Sequence, residues 1–273
     1  MICYPNAKIN LGLNITSKRP DGFHNISSVF LPIQWQDALE IVPAKTTTFQ
    51  SAGIPIPGSA DSNLCLKAYQ LLAKDHQLPP VQIILQKIIP IGAGLGGGSA
   101  DASFTITELN RQFNLGLTIA EMEQYAGQLG SDCPFFIQNK PVLAEGTGTD
   151  FQPIDCDLAD HPILLVNPNI HIGTAEAYSG ITPKPSEIAI KKVVEEYPMT
   201  EWKHHLKNDF EDSIFPKYPE IAKIKEQLYA LGAVYASMSG SGATVYGIFP
   251  MGVEIDQFKD RFSDSYLIHS ALL

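Results

Sequence analysis

The sequence predicts an α+β fold in which strands and helices are mixed without strict alternation. Segments with the period of a β-strand open the chain and return in its second half, and helical segments separate them at irregular intervals. An acidic, irregular segment over residues 150–160 lies near the middle of the 273 residues, a length that suits two modest domains. We therefore expect one domain over residues 1–152 and a second over residues 153–273.

The composition is that of an ordinary globular protein, with 44% hydrophobic and 18% charged residues. The 19 basic and 29 acidic residues give a formal net charge of −10, the wrong sign for a protein that follows a nucleic-acid backbone. No export signal and no membrane-spanning stretch is recognisable. The four cysteines are scattered, without the close pairs of a zinc knuckle or a disulfide framework. We expect a cytoplasmic protein that binds neither nucleic acid nor membrane.

The first elements resemble a β-hairpin or meander. Residues 6–15 alternate between apolar and polar or small side chains, which predicts a half-buried strand with Lys8 and Asn10 on one face. The turn sequence of residues 20–22 separates this strand from a second one over residues 26–33. Phe23 and His24 beside the turn could stack on a base or pack in the ordinary way.

Alternating helices and strands are predicted between residues 62 and 145. The first is a helix over about 62–76, which a strand over 81–89 follows. The next helix is capped by Ser99 or Asp101 and runs to about 113, and another starts at a Thr118–Glu121 capping box and ends at Gly130. Short strands over 135–138 and 142–145 complete this part of the chain.

The second half predicts a further set of strands and helices. The strands are 162–166, 233–238, 244–249 and a last one ending at 270, and the helices are about 174–179, 187–196, 219–231 and 254–262. Between two of these strands lies the small-residue turn of residues 239–242, which is either a tight hairpin or a backbone wall beside a ligand.

Residues 90–100 hold five glycines between a strand and a helix. Such a loop lets backbone amides approach an anion, and the positive end of the following helix adds to the attraction. The loop matches the dinucleotide pattern G-x-G-x-x-G, but no strand with an acidic end follows about 20 residues later. Gly98 and Ser99 stand where a P-loop would have lysine and serine or threonine. A P-loop is excluded, and an NAD-dependent oxidoreductase stays a weaker alternative.

Asp132 lies between a predicted helix and a predicted strand. Its carboxylate could accept a proton from an attacking hydroxyl, and Lys8 could keep that carboxylate ionised and stabilise a phosphoryl group. From spacing alone, an aspartate that caps a turn and a lysine on a solvated strand face explain the same pattern.

Three motifs together resemble the GHMP kinase superfamily. They are residues 5–11 (PNAKINL), 90–100 (PIGAGLGGGSA) and 239–243 (SGSGA), in this order and at these distances. Three further segments resemble the branch of the superfamily that phosphorylates a cytidyl diphosphate ester of a methylerythritol: residues 19–24 (RPDGFH), 130–135 (GSDCPF) and 144–148 (AEGTG).

The resemblance implies a ribosomal-protein-S5-like domain, a ferredoxin-like domain and a site in the cleft between them. The implied reaction moves the γ-phosphoryl group of ATP to the 2-hydroxyl of the ester, in non-mevalonate isoprenoid biosynthesis. Asp132 would be the general base and Lys8 its electrostatic partner. The implied ATP-binding residues are Pro90, Ile91, Gly92, Ala93, Gly94, Leu95, Gly96, Gly97, Gly98, Ser99 and Ala100. The implied substrate-binding residues are Asn10, Phe23, His24, Thr174, Tyr178 and Gly240.

Magnesium is expected with the ATP, although no protein ligands for it follow from the sequence. Phe23 replaces the tyrosine that is more frequent at its position in the family, which keeps the ring for stacking. The open alternatives are a GHMP kinase for another small alcohol, such as homoserine or mevalonate, and a nucleotide-binding protein that has lost catalysis.

Overall fold

A computed structural model describes residues 2–273 and confirms the α+β fold. The chain forms two compact units, each built from separate stretches. The first unit comprises the residues up to Ala7, Trp35–Ile91 and Gly96–Lys140, and the second comprises Lys8–Gln34, Gly92–Leu95 and Pro141–Leu273. Each unit combines stretches that are distant in the chain, because strands from those stretches pair with one another. The predicted boundary between residues 152 and 153 concerns the family domains and stays a prediction.

The first unit packs helices on a four-stranded sheet. Its strand order is β1 (Ile2–Cys3), β4 (Ala38–Pro43), β6 (Val81–Lys87) and β5 (Thr48–Gly53), with β5 parallel to β6. Its helices are α1 (Leu64–Asp75), α2 (Gly97–Phe113), α3 (Ile119–Gly127) and α4 (Phe135–Gln138), and a 3₁₀ turn covers Ala60–Ser62. Apolar side chains of β4 and β6 form one core with those of α1 and α2.

The second unit contains most residues of two further sheets. The strand order of one is β2 (Asn6–Lys18), β3 (His24–Gln36), β7 (Val142–Glu145) and β8 (Asp150–Pro153), and that of the other is β10 (Tyr235–Met238), β11 (Val245–Ile248), β9 (Pro162–Asn167) and β12 (Leu267–Leu272). The helices are α5 (Thr174–Ser179), α6 (Ile190–Glu196), α7 (Met199–His205), α8 (Phe210–Ile214) and α9 (Pro219–Ala230), and a 3₁₀ helix covers Asp256–Arg261. None of the helices described over residues 2–273 is long and apolar enough to cross a membrane.

Several predicted elements differ from the structure. Residues 135–138 form a helical turn and not a strand, because Pro134 already has helical φ and ψ and a short apolar run does not separate the two states. Helix α2 begins at Gly97 after Gly96 in the left-handed conformation, so neither Ser99 nor Asp101 is its cap. Helix α3 ends at Gly127, before the predicted stop. The strands β4, β5 and β8 and the helices α7 and α8 had not been predicted.

Candidate active site

Strand β2 is buried on both faces over its first eight residues, which corrects the predicted half-buried strand. Lys8 is 3% exposed and Asn10 is 1% exposed. Burying an ammonium group is unfavourable unless it has polar partners. The structure therefore excludes the alternative that Lys8 is a lysine on a solvated strand face.

A connected set of side chains orients Lys8. Its Nζ donates to Oδ1 of Asn10 at 2.7 Å and lies 4.6 Å from the ring centroid of Phe30, a cation–π distance. Asn10 in turn donates through Nδ2 to Oγ of Ser28 at 2.8 Å, and its carbonyl accepts from the hydroxyl of Tyr246 at 2.6 Å. Lys8 and Asn10, predicted on one strand face, thus form one network.

The first motif, the third motif and Thr244 directly after it donate to consecutive carbonyl groups of the glycine loop, residues 90–100. The hydrogen bonds are Thr244 N to the Ala93 oxygen at 3.3 Å, Ser239 Oγ to the Gly94 oxygen at 2.8 Å, and Lys8 N to the Leu95 oxygen at 2.9 Å. All three bonds lie in the second unit. The first and third motifs therefore hold the same three-residue stretch of the second motif.

These bonds fix the direction of the loop's amide groups. In a planar trans peptide, the N–H of one residue points opposite to the C=O of the residue before it. Because the carbonyls of residues 93, 94 and 95 face protein donors, the N–H groups of residues 94, 95 and 96 point away from those donors. Successive amides whose N–H groups point away from protein acceptors can donate to an anion.

The turn of residues 239–242 packs against the glycine loop. A Cβ on Gly94, which has φ of +78°, would lie 1.9 Å from the carbonyl oxygen of Ser239. A Cβ on Gly240 would lie 3.0 Å from the Cα of Gly94. The turn is therefore a tight hairpin between the antiparallel strands β10 and β11, one of the two sequence alternatives, and its backbone packs against the glycine loop. A backbone wall beside a ligand stays a prediction. A contact between Gly240 and substrate stays a prediction.

Two buried polar side chains, which the sequence analysis missed, hold this turn. Nδ2 of Asn208 donates to the carbonyls of Met238 and Gly240, at 2.7 and 2.8 Å. Oε1 of Glu211 accepts from the N–H of Met238 at 2.9 Å, while Oε2 accepts from Nζ of Lys225 at 2.6 Å. The available signal was the run of polar residues Asn208, Asp209 and Glu211 around Phe210, a pattern that does not by itself indicate burial.

The predicted base-binding residues are only partly brought together. The rings of His24 and Tyr178 are stacked, with centroids 4.7 Å apart and planes at 19°. Phe23, which was expected to sandwich a base with Tyr178, is 63% exposed. A base that stacks on this face of Tyr178 would have to displace His24. Thr174 is the exposed first residue of α5.

His171 is a further residue near the loop that the sequence analysis did not single out. Its imidazole lies 3.3 Å from the position of a Cβ on Gly92, which has φ of +64°. It thus lies beside the first glycine of the loop in the second unit.

Asp132 lies in the first unit, in a hydrogen-bonded turn between α3 and α4. The N–H of Cys133 donates to the carbonyl of Gly130 at 3.1 Å, and Oγ of Ser103 on α2 donates to the carbonyl of Cys133 at 2.6 Å. The half-buried Asp132 is therefore held on a fixed backbone. Its pairing with Lys8 stays a prediction from the resemblance.

A buried charge cluster, also missed, lies at the ends of the glycine loop in the first unit. Lys87 contacts the carboxylates of Asp37 and Asp101, at 2.5 and 2.7 Å. Burial raises the pKa of Asp101 to about 7, and the charge of Asp37 acts in the same direction, whereas Lys87 lowers it. For Lys87 itself, burial lowers the pKa, but the two carboxylates outweigh burial and raise it. The signal in the sequence was a lysine between the apolar residues Leu85 and Ile89 of the predicted strand, on the face that they share.

Comparisons with known proteins agree with these motifs. The family model of the GHMP kinases N terminal domain matches residues 63–140, and that of the GHMP kinases C terminal domain matches residues 197–267. The chain is 54% identical over 249 residues to the 4-diphosphocytidyl-2-C-methyl-D-erythritol kinase of Azobacteroides pseudotrichonymphae, covering 91% of this chain and 93% of that one. It is 48% identical to the kinase of the same name from Parabacteroides distasonis, with 98% of both chains covered. A crystal structure of 4-(cytidine 5'-diphospho)-2C-methyl-D-erythritol kinase superposes with a TM-score of 0.85 at 25% identity, covering 99% of this chain and 98% of that one.

Proposed function

The chain belongs to the 4-diphosphocytidyl-2-C-methyl-D-erythritol kinases of the GHMP kinase family, and we propose that its glycine loop, Lys8 and Asp132 carry out the phosphoryl transfer. It uses ATP to phosphorylate the methylerythritol part of the cytidyl diphosphate ester at the 2-hydroxyl, a step of isoprenoid precursor biosynthesis. The alternatives of an oxidoreductase and of a kinase for another alcohol do not fit this membership.

The direction of the amides at residues 94–96 is the observation that supports the ATP site most directly. The amides face away from three protein donors and precede the N-terminus of a 17-residue helix. They can donate to phosphate oxygens without a basic surface around them. This explains how a chain of net charge −10 can hold a triphosphate.

Asp132 and Lys8 have separate roles in the proposed reaction. The oxygen of the 2-hydroxyl attacks the γ-phosphorus, the bond to the β,γ-bridging oxygen breaks, and ADP leaves with the electron pair. Asp132 takes the hydroxyl proton, a contribution of typically about 10² to 10⁴-fold. Lys8 stabilises the charge on the transferred group. The hydrogen bond from Nζ of Lys8 to Asn10 and its contact with Phe30 hold the ammonium in one orientation.

The stacked pair of His24 and Tyr178 supports the proposed place of the cytosine. A planar base can take the place of His24 on the ring of Tyr178, and the displaced imidazole can then offer a hydrogen-bonding edge to that base. Asn10, Phe23, Thr174 and Gly240 complete the proposed substrate site.

We expect Mg²⁺ to arrive with the ATP phosphates, because such sites use substrate phosphates together with one or two carboxylates. When bound, it would neutralise charge on the triphosphate. Over residues 2–273, no group of three His, Cys, Asp or Glu side chains is placed to hold an ion. Its protein ligands therefore stay unassigned.

An assay of ATP consumption tests the proposed substrate. Purified protein is given ATP and Mg²⁺ with the cytidyl ester, with mevalonate or with homoserine in parallel reactions. We expect turnover with the cytidyl ester only, and the phosphorylated product is located by ³¹P NMR. Turnover with another alcohol at comparable kcat/KM would overturn the proposed acceptor.

A further inference from the structure

Lys87 joins the two ends of the glycine loop inside the first unit. It is the last residue of β6, five positions before the first loop glycine, and its side chain is only 2% exposed. Asp101, which accepts its hydrogen bond at 2.7 Å, lies on α2 just after the loop. The ammonium therefore ties the strand that enters the loop to the helix that leaves it.

Asp37 bonds both Lys87 and the backbone that enters the glycine loop. Its Oδ2 accepts from Nζ of Lys87, and its Oδ1 accepts from the N–H groups of Ile88 and Ile89, at 2.5 and 2.9 Å. One carboxylate thus holds both the lysine and the two peptide groups that lead to Pro90. Asp101 connects the exit to the same lysine.

Gly97 shows how closely the start of α2 packs on this cluster. Its φ is not in the left-handed region, so the conformation does not require glycine. A Cβ at this position would lie 2.8 Å from Cγ2 of Ile89 and 3.0 Å from Nζ of Lys87. The absence of a side chain therefore lets the helix start directly against the ammonium.

Stability alone is a poor explanation for this cluster. A buried ion pair rarely stabilises a fold more than apolar residues of the same size would. Oδ1 of Asp101 is moreover buried without a hydrogen-bond partner in the part of the chain that the structure describes. Such groups need another reason to be present.

We propose that Lys87, with Asp37 and Asp101, is a positioning residue for ATP that holds the two ends of the glycine loop at a fixed separation. A loop that is already ordered loses less entropy when a ligand binds. The loop then presents its amides to the phosphates in one conformation. This inference rests on the proposed function, because it takes ATP as the ligand of the loop.

The test compares three variants by ATP affinity and by steady-state kinetics. Asp101→Leu removes the acceptor but retains volume and leaves Lys87 paired with Asp37. Asp101→Asn keeps an oxygen for Lys87. Asn110→Ala is the matched control on the same helix, because Asn110 bonds both the N–H and the carbonyl of Leu117, about 13 Å along α2 from Asp101. If Asp101→Leu does not fold, Asp101→Ala replaces it.

We expect Asp101→Leu to raise the Kd and the KM for ATP about tenfold while the KM for the cytidyl ester stays within twofold of wild type. Asp101→Asn should restore ATP affinity to within about twofold. Asn110→Ala should lower Tm and leave both KM values unchanged. Wild-type ATP affinity in the folded Leu or Ala variant, or an equal rise in both KM values, would overturn the positioning role.

Direct ATP binding, measured by calorimetry without acceptor, separates this inference from the proposed function. Wild-type protein that binds ATP but does not phosphorylate the cytidyl ester would refute the proposed acceptor, and the Asp101 comparison would still decide the role of Lys87. Wild-type protein that does not bind ATP would overturn both.

Discussion

Replacing Gly94 with alanine tests the contact between the glycine loop and the turn of residues 239–242. Gly94 has φ of +78°, and the new methyl group would lie 1.9 Å from the carbonyl oxygen of Ser239. That oxygen would have to retreat by about 1 Å to reach 3.0 Å, below which Cβ contacts essentially do not occur. Gly94→Ala therefore displaces the loop or the turn.

The expected loss of stability has two parts. The left-handed conformation costs alanine about 1–2 kcal/mol relative to its usual backbone. The displacement also disturbs two hydrogen bonds, from Gly242 N to the Ser239 oxygen at 3.0 Å and from Ser239 Oγ to the Gly94 oxygen at 2.8 Å. At about 1 kcal/mol each, they bring the expected total to about 3–4 kcal/mol. A shift of about 1 Å in groups that position a substrate lowers kcat/KM about 100-fold.

Gly116→Ala is the matched control for Gly94→Ala. Gly116 has φ of +74°, and a Cβ there would meet no atom within 4 Å. It should lose only the 1–2 kcal/mol of the backbone conformation and keep wild-type kinetics. Urea denaturation gives the free energy of unfolding of each variant, and ATP titration gives kcat/KM. Equal destabilisation of the two variants, or unchanged kcat/KM in Gly94→Ala, would refute the argument.

Three further substitutions test other parts of the site. Asp132→Asn should lower kcat at least about 100-fold with ATP affinity retained, by stopped assay and calorimetry, and unchanged turnover would exclude Asp132 as the base. Burial raises the pKa of Asp101 from 3.8 to about 7. Between pH 3.8 and about pH 7 the folded protein therefore keeps a proton on Asp101 that the unfolded chain has released. The free energy of unfolding should fall as the pH rises through this range. Urea midpoints should show wild type losing up to about 1.4 kcal/mol per pH unit relative to Asp101→Asn, and parallel profiles would contradict this. Asn208→Asp places a carboxylate oxygen against the carbonyls of Met238 and Gly240, and it should lower the free energy of unfolding by at least about 2 kcal/mol in urea denaturation. An unchanged free energy of unfolding would show that the Asn208 amide does not hold the turn.

Elements with strong local signals were predictable from the sequence. The capping box at Thr118 is present, with its hydroxyl accepting from the N–H of Glu121 and the Glu121 carboxylate accepting from the N–H of Thr118. Strand β2 was found from its alternation and α1 from its helical spacing. By contrast, β5 is a mostly exposed edge strand, and nothing in its residues marks it because its pairing with β6 is set by the rest of the sheet.

The polar residues that support the site could not be recognised from the sequence, because their partners are distant in the chain. Lys8 was placed on a half-buried strand, because the alternation of apolar and polar residues describes one face of a strand and does not show what covers the other. Asn208 contacts residues 30 and 32 positions away, and Lys87 contacts Asp37 50 positions away. Such contacts arise from tertiary packing and leave no local period.

The glycines of the loop serve different physical purposes, which explains why their pattern alone identified no ligand. Gly92, Gly94 and Gly96 have positive φ, so they are required by conformation. Gly97 instead leaves room for the Lys87 ammonium, and a Cβ on Gly98 would meet only a leucine methyl at 3.9 Å. The loop therefore matches the dinucleotide pattern G-x-G-x-x-G because of backbone conformation at Gly92 and Gly94 and close packing at Gly97, and the match does not require a bound phosphate. The proposed phosphate contact depends on the direction in which the carbonyls of residues 93–95 are held, because that direction decides where the following amides can donate.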